Sequence, residues 1–294
     1  MQPPPTPTAR VCAVVVTYNP SPLFVENVAA LSTQVDRIVV VDNGSSSETE
    51  VHLGGVESRY GCKVIRNHQN LGIAAALNIG VKYATEAGCD WVVTFDQDSR
   101  VSDGFISLML ETYRQAPHPE KIAIVAPSYV DRESRVRRKV LRASNGDVLI
   151  TMSSGSMMPV SAIQSVGAFD ESLYIDYVDT DFCLRARRKG LLILQSPAVL
   201  FHSLGRTTYH RLFGRNFYVT NHSAGRRYYI TRNRLRLLAR YRMDRSWARR
   251  ECREILTENV AVLLVEDHKW QKVRAIIQGA VDALRGKTGE RIEL

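Results

Sequence analysis

Four short apolar runs, each ending in a polar cluster, constrain this chain more than any other feature of its 294 residues. They are 11–17 (VCAVVVT), 37–41 (RIVVV), 62–66 (CKVIR) and 90–95 (DWVVTF). Continuous Val-rich runs of this length read as strands buried on both faces, which belong to parallel sheets. Between them, 22–34, 45–59 and 71–87 read as helices, the last rich in Ala. The β-α-β-α-β-α-β alternation predicts a doubly wound, mostly parallel α/β layer. Further on, the pattern predicts a helix over 103–115, a strand over 121–126 and a hairpin within 127–150 around Asn145-Gly146-Asp147. A helix over 176–189 stops at Gly190, and a strand over 191–200 runs to Phe201-His202. From 206 the chain reads as helical, with helices near 223–242, 245–265 and 268–285.

In an open α/β sheet, ligands bind beyond the carboxyl ends of the strands. The residues expected there are Thr17, Tyr18 and Asn19, then Asp42 and Asn43, then Asn67 and Asn70. Asp96 and Asp98 follow the fourth strand, and His202 a later one. The glycine fingerprints GxGxxG and GxxxxGK[ST] are absent, which disfavours a dinucleotide oxidoreductase and a P-loop NTPase. Two carboxylates at i and i+2 in an extended turn can share a hard cation such as Mg²⁺ or Mn²⁺, which in turn bridges to phosphate oxygens. The bland alternative for Asp96-Gln97-Asp98 is a solvated acidic turn.

Charge divides the chain. Lys plus Arg number 39 and Asp plus Glu 30, for a net +9. Residues 1–205 carry 19 basic and 21 acidic side chains, whereas 206–294 carry 20 and 9, so the last third alone holds +11. A basic surface for nucleic acid, anionic lipid or a phosphorylated ligand follows. A hydrophobic fraction of 45% excludes disorder. No apolar stretch approaches the roughly 18–20 residues that span a bilayer. Residues 1–10, opening with MQPPPTPT, read as a disordered tail and not as a signal peptide. Five scattered cysteines without a CxxC pair argue against a zinc site or disulfide framework and fit a cytoplasmic protein.

Several motifs occur in order: VVVTYNP at 14–20, VVDNGS at 40–45, NHQNLGIAAALNIG at 67–80 and FDQDS at 95–99. GAFDESLYIDYVDTDFCLRARRKG at 167–190, FHSLG at 201–205 and YYITRN at 228–233 follow. Over roughly 11–235 this set resembles the family 2 glycosyltransferases of GT-A fold, and among them the bacterial rhamnosyltransferases. The resemblance implies a GT-A catalytic domain over 11–205 and a basic helical extension over 206–294. It also implies an inverting, metal-dependent transfer from a nucleotide sugar, dTDP-β-L-rhamnose, to a glycan or lipid-linked glycan acceptor. UDP-hexose and galactofuranose donors are the alternatives.

By the same resemblance, Thr17, Tyr18 and Asn19 would lie along the nucleotide and Asp42, with Asn43, near the base or ribose. Asn70 and Gly72 would flank the base. Asp96 would face the ribose, diphosphate and metal, while Asp98 would bind Mg²⁺ or Mn²⁺ directly and His202 would complete the metal site. Ser154-Gly155 would form the floor beneath the donor sugar. Relatives carry Glu-Asp-x-Asp where this chain has Val178-Asp179-Thr180-Asp181, which makes Asp179 the catalytic base. Asp176 is the runner-up base or an acceptor-hydroxyl ligand. Three acids near a helix start could also serve the positive end of its dipole, and Asp181 is spaced to pair with Arg185.

Residues 206–250 hold 13 Arg, interleaved with Tyr209, Tyr218, Tyr228, Tyr229 and Tyr241. Such a pattern can stack bases, yet no nucleic-acid motif accompanies it. Basic amphipathic helices on an anionic leaflet fit better, as a peripheral protein at the inner face of the cytoplasmic membrane. Arg232-Asn233, in the family's RN pattern, would touch donor or acceptor phosphate. The apolar positions of 255–265 and 273–284 leave three uses open: packing on the catalytic domain, shallow insertion into lipid, or dimerisation. A noncatalytic nucleic-acid- or lipid-binding protein is the rival from another class.

Overall fold

The computed structural model describes residues 9–138, 140–143, 145–202, 208–212, 215–219 and 221–291, with the backbone alone at 208–212 and 215–219. The expected tail lies outside these residues except for Ala9 and Arg10. Arg10 is no part of a loose tail: its N–H donates to Asp90 (2.8 Å) and its guanidinium to the Ala87 carbonyl (3.0 Å). The boundary expected at 205/206, residues 203–205 of FHSLG and the side chains of Tyr209 and Tyr218 also lie outside the described residues.

The first half alternates as its hydrophobic runs dictate. Strands β1 (Val11–Thr17), β2 (Arg37–Asp42), β3 (Lys63–Arg66) and β4 (Trp91–Asp96) alternate with helices α1 (Leu23–Ser32), α2 (Glu50–Tyr60) and α3 (Ile73–Glu86). Then come β5 (Arg100–Val101), α4 (Phe105–Arg114), β6 (Ile122–Asp131), the hairpin strands β7 (Leu141–Arg142) and β8 (Val148–Ile150), β9 (Met157–Pro159), α5 (Val160–Val166), α6 (Val178–Arg188) and β10 (Leu192–His202). The last third holds β11 (Thr208–Leu212), β12 (Arg215–Val219), α7 (Ala224–Arg240), α8 (Arg245–Leu264) and α9 (Lys269–Leu284).

Eight strands form one sheet in the order β3-β2-β1-β4-β9-β6-β10-β5. It is parallel except for β9, wedged antiparallel between β4 and β6, and β5, antiparallel at the edge beside β10. Short β9 was not legible in the sequence, because three residues give no usable period. The expected helical character from 206 is corrected as well: Thr208–Leu212 and Arg215–Val219 pair as antiparallel strands. Their Thr, Tyr, Phe and Val content favours that outcome.

Both faces of the sheet are covered. Alternate residues of β1 point to opposite sides, with Val14 and Val16 in the core under α3, α5 and α6, and Ala13 and Val15 in the core under α1, α2 and α4. The α3 contact is tight: a Cβ on Gly80 would sit 2.2 Å from Val14 Cγ1. At the other end of the chain, α9 packs on α7 so closely that a Cβ on Gly279 would lie 2.6 Å from the Tyr228 carbonyl oxygen. Helix α7 starts at Ser223, whose hydroxyl accepts from the Arg226 N–H (3.1 Å), and α8 at Asp244, whose carboxylate accepts from the Trp247 N–H (3.3 Å). These caps satisfy donors that a helix start leaves open.

Candidate active site

Sheet register brings the first site residues together. Thr17 pairs with Asp42 across β1 and β2, and Val16 with Asp96 across β1 and β4, so three strand ends stop at one level. Beyond them opens a cleft of about 690 Å³. Six expected residues line it: Thr17, Tyr18, Asn43, Asn70, Gly72 and Asp96. Asp42 and Asn19 are outside its lining, Asp42 buried and Asn19 exposed. Buried Asp42 accepts from the Thr17 hydroxyl (3.1 Å) and from the N–H and hydroxyl of Ser45. Asn19 accepts from the Ser46 N–H (2.9 Å) while its own N–H donates to Ser45 (2.7 Å). Asn43 ties the second loop to the third, donating to Asn70 Oδ1 (2.8 Å) and accepting from Asn67 (3.1 Å) and the Leu71 N–H (3.1 Å). Gly72 is required by its φ of +84° and by Tyr174, whose Cδ2 would lie 2.5 Å from an added Cβ.

Asp96, Asp98 and His202 form a group whose ligand atoms all lie within 4.8 Å of one another. His202 Nδ1 is 3.3 Å from Asp98 Oδ1, close to the roughly 3 Å edge of an octahedron with Mg²⁺–O bonds of about 2.1 Å. Serines hold the group in place. Ser154 Oγ accepts from the Asp96 N–H (3.1 Å) and lies 2.7 Å from Ser99 Oγ, which is 2.9 Å from His202 Nδ1. Burial raises the Asp96 carboxyl, helped by the Asp98 charge and opposed by His202 and Arg226. Burial alone would lower the His202 imidazole, but its bond to Asp98 and the charges of Asp98 and Asp96 outweigh that and raise it. Two carboxylates and an imidazole, oriented by neighbours, suit a hard or borderline divalent ion.

Gly155 serves packing next to this group. At φ +78°, an added Cβ would meet Pro127 Cγ at 2.7 Å and Leu200 Cδ2 at 2.8 Å, so the close approach it permits is to those side chains.

Asp176, just before α6, and Asp179, in its first turn, share the field of Arg226 with Asp96. Burial raises the Asp179 carboxyl to about 6, with the charges of Asp176 and Asp96 adding to it and a hydrogen bond from the Thr180 N–H (2.7 Å) opposing. Asp176 instead pairs with Arg226 in a forked contact at 3.0–3.3 Å. Asp181 is fully buried between Arg185 (2.7 Å), Arg240 (2.9 Å) and the Tyr241 hydroxyl (2.6 Å), which makes it structural.

The segment before α6 is strained. Tyr174, Asp176 and Tyr177 all have positive φ, at 65°, 59° and 67°, a conformation costing on the order of 1–3 kcal/mol for each such residue. Asn233 holds them there: its Nδ2 donates to the carbonyls of Leu173 (2.8 Å), Ile175 (2.7 Å) and Asp176 (3.1 Å). The expectation that Arg232 touches phosphate is corrected. Arg232 is fully buried beside the Tyr228 and Tyr229 rings and donates to the carbonyls of Gly289 (2.6 Å) and Leu173 (3.0 Å). The RN pair thus shapes the loop that carries the acids.

Sequence reasoning missed Arg226, Gln97, Tyr174 and Glu290. Gln97 Oε1 accepts from the Tyr18 N–H (2.9 Å). Tyr174 and Glu290 line the cleft, and the C-terminal segment reaches it by the bond from the Gly289 N–H to the Ser172 carbonyl (2.8 Å). Only the DQD spacing could have flagged Gln97; no spacing points to the others.

The basic extension is also corrected in part. Arg227, Arg234 and Arg240 form ion pairs with acids inside the protein, and Tyr228, Tyr229 and Tyr241 are at most 1% exposed. Buried rings cannot stack on bases.

Comparison with known proteins agrees with this geometry. The profile for "Glycosyl transferase family 2" matches residues 12–231. The chain is 31% identical over 301 aligned residues to a dTDP-rhamnosyl transferase, RfbF, of Shigella flexneri, covering 96% of this chain and 97% of that one. It is 28% identical to the galactofuranosyltransferase GlfT1 of Mycolicibacterium smegmatis, covering 63% and 68%. Among solved structures, it resembles S. aureus TarS 1–349 in complex with UDP-GlcNAc, with a TM-score of 0.60, 18% identity and 94% and 83% coverage. The mannosyltransferase PcManGT of Pyrobaculum calidifontis, in complex with GDP-Man and Mn²⁺, gives a TM-score of 0.60 at 16% identity, with 97% and 90% coverage. Strand order, site geometry and a profile match over most of its length lead to one conclusion: the chain belongs to glycosyl transferase family 2 and has a GT-A-type fold.

Proposed function

We propose that this protein is an inverting, metal-dependent rhamnosyltransferase that moves L-rhamnose from dTDP-β-L-rhamnose to a hydroxyl of a bacterial surface glycan or glycolipid. One observation carries the reading. A ligand set for a divalent ion, Asp96, Asp98 and His202, lies by a nucleotide-sized cleft, close enough to Asp179 that the Asp96 charge helps hold that carboxyl at about 6. Thr17, Tyr18, Asn43, Asn70 and Gly72 would line the nucleoside, and Glu290 and Tyr174 would close the cleft over it. Asp96, Asp98 and His202 would hold Mg²⁺ or Mn²⁺, which when bound neutralises charge on a diphosphate leaving group. Asp179 takes the proton of the acceptor hydroxyl as that oxygen attacks the anomeric carbon from the face opposite the leaving group. A β donor then gives an α-rhamnoside. Arg226 positions Asp176 next to the attacking hydroxyl.

Rhamnose is favoured by the full-length likeness to RfbF; galactofuranose, favoured by the GlfT1 likeness, is the second reading. A thermal-shift panel of nucleotide sugars with Mg²⁺ separates them. A ligand at 100 times its Kd stabilises by about 2.7 kcal/mol, which is roughly 5 °C for a chain of this size. dTDP-L-rhamnose is expected to give the largest shift. A larger shift with UDP-galactofuranose moves the donor assignment, and no shift with any nucleotide sugar removes the enzyme reading.

The extension would set the protein on the inner face of the cytoplasmic membrane. Among the described residues, no helix is long and apolar enough to cross a membrane. Around the start of α8, Arg242, Arg245, Arg249 and Arg253 are exposed, followed by exposed Leu256, Leu263 and Leu264. Cations then apolar residues on one helix suit an anionic leaflet. The protein should sediment with phosphatidylglycerol vesicles at low salt and not with phosphatidylcholine vesicles. Equal sedimentation with both, or with neither, removes the electrostatic membrane contact.

A further inference from the structure

A second cavity, of about 970 Å³, opens beside the acidic pair between α7, α8 and the β7–β8 hairpin. That volume is at the upper end of ligand pockets, about 300–1,000 Å³. Its lining includes Asp176, Tyr177 and Thr180 and, on α8, Leu256, Val260 and Leu264. It therefore includes Asp176, placed above beside the acceptor hydroxyl, and it reaches the surface at α8, where those three side chains are 67%, 42% and 56% exposed. Ile150 and Ile230 add to the apolar wall.

The charges in this lining are matched. Arg227 pairs with Glu258 (3.2 Å) and with Glu266, and Arg234 pairs with Glu251 (3.0 Å) and Glu258 (2.9 Å). Lys272 adds a second cation to Glu266 (2.8 Å), and Arg250 pairs with Glu254 at the rim (3.4 Å). Burial, with Arg226, Arg227 and Lys272 nearby, holds the His222 imidazole down to about 3, so it is neutral too. A floor of paired ions has little pull on a free phosphate. What it leaves on offer is apolar surface, which gains by removal from water.

We propose that this trough holds the apolar chain of an amphipathic acceptor, whose sugar sits by Asp176 and whose chain lies against Leu256, Val260 and Leu264 of α8. The proposal rests on the glycosyltransferase reading above. Three features of this one cavity select the occupant: Asp176 for a hydroxyl, an electrically matched floor, and apolar side chains on the exposed part of α8. A chain-bearing sugar satisfies all three, whereas a free glycan leaves the apolar wall wet and a phospholipid sets its phosphate over a floor of paired ions that has little pull on it.

The test measures binding of methyl, hexyl and octyl glucosides, below their micelle concentrations, to the full chain with Mg²⁺ and dTDP. Burial of a methylene strengthens binding by up to about fourfold, so octyl glucoside should bind about tenfold more tightly than hexyl, and methyl glucoside weakly. Leu256→Asp and Val260→Asp should flatten this chain-length dependence, and Ile277→Asp, on the exposed face of α9 outside the trough, should leave it intact. A diazirine at the end of the octyl chain should label α8 in the unaltered protein, a readout independent of any variant's folding. Equal chain-length dependence in the unaltered protein and both trough variants, or labelling confined to α9, overturns the proposal. A dTDP-rhamnose thermal shift recorded on the same samples keeps the two readings apart. If that shift is absent while α8 is labelled, the donor assignment fails and the trough stands; the reverse pattern sinks the trough alone.

Discussion

Asp179→Asn is expected to lower kcat by about 10²–10⁴-fold, the usual contribution of a positioned general base, and at the same time to stabilise the protein above pH 6. Both effects have one origin. Burial first, then the charges of Asp176 and Asp96, raise the folded-state carboxyl from its ordinary 3.8 to about 6. The folded chain therefore binds this proton more tightly than the unfolded chain does. That contribution to stability is complete below about pH 4 and is lost as pH rises through about 6, leaving an ionised carboxylate whose burial costs about 2–3 kcal/mol. Asparagine carries no such cost and keeps an oxygen for the Thr180 N–H, which now donates to Asp179 Oδ1 at 2.7 Å. Its melting temperature should exceed that of the unaltered protein by a few degrees at pH 8, and the gain should vanish below pH 4. The unaltered enzyme should show a rising limb in kcat/KM with an apparent pKa near 6 in the free enzyme. Asp176→Asn, which removes one of the raising charges, should move that limb to lower pH. If Asp179→Asn keeps more than a tenth of kcat, the base is another group, Asp176 first.

This coupling of activity to instability shows where sequence reading reaches and where it stops. Strands β1 to β4 were legible because Val-rich runs have one low-energy place, between two helical layers. Polar residues after them were legible as candidate site residues because strand ends in an open sheet converge. The register of Thr17, Asp42 and Asp96 confirms that convergence. Asp98 and His202 lie 104 residues apart in the chain by their numbers, yet each carried a local signal, a DxD turn and a strand end. Strand β9 carried none.

The basic third was legible as charge but not as use. A net +11 suggested a surface for anions, yet much of α7 turns its guanidinium groups inward. Arg226 fixes Asp176, Arg227 and Arg234 knit α7 to α8, and Arg240 reaches Asp170 and Asp181. Arg232 and Asn233 were marked by their motif, and their location next to the acidic loop agrees with it. Their role differs, because only the three-dimensional fold shows that the loop's backbone carbonyls need donors. Three residues with positive φ must be held by something, and a buried amide and guanidinium supply the bonds. Such long-range pairings, 50 or more residues apart, leave no periodicity behind.

The second large effect is expected at Asp98. Asp98→Ala leaves Asp96 and His202 as two of the three proposed ligands, and should lower kcat on the order of 10³-fold, since an ion held there would stabilise transition-state charge by several kcal/mol. The loss should persist at any Mg²⁺ or Mn²⁺ concentration, and the thermal shift that Mn²⁺ gives in the presence of dTDP should disappear. Ser154→Ala offers a graded comparison. It keeps all three ligands but removes the hydroxyl that meets the Asp96 N–H (3.1 Å) and Ser99 (2.7 Å), and outer-shell losses of this kind cost about 10–100-fold in metal affinity. Its activity should therefore recover as Mn²⁺ is raised, whereas that of Asp98→Ala should not. Full transfer activity after exhaustive EDTA treatment would show that Asp98 and His202 form only a structural ion pair. Donor chemistry would then rest on the cations of the protein itself, with Arg226 the one already placed among the acids.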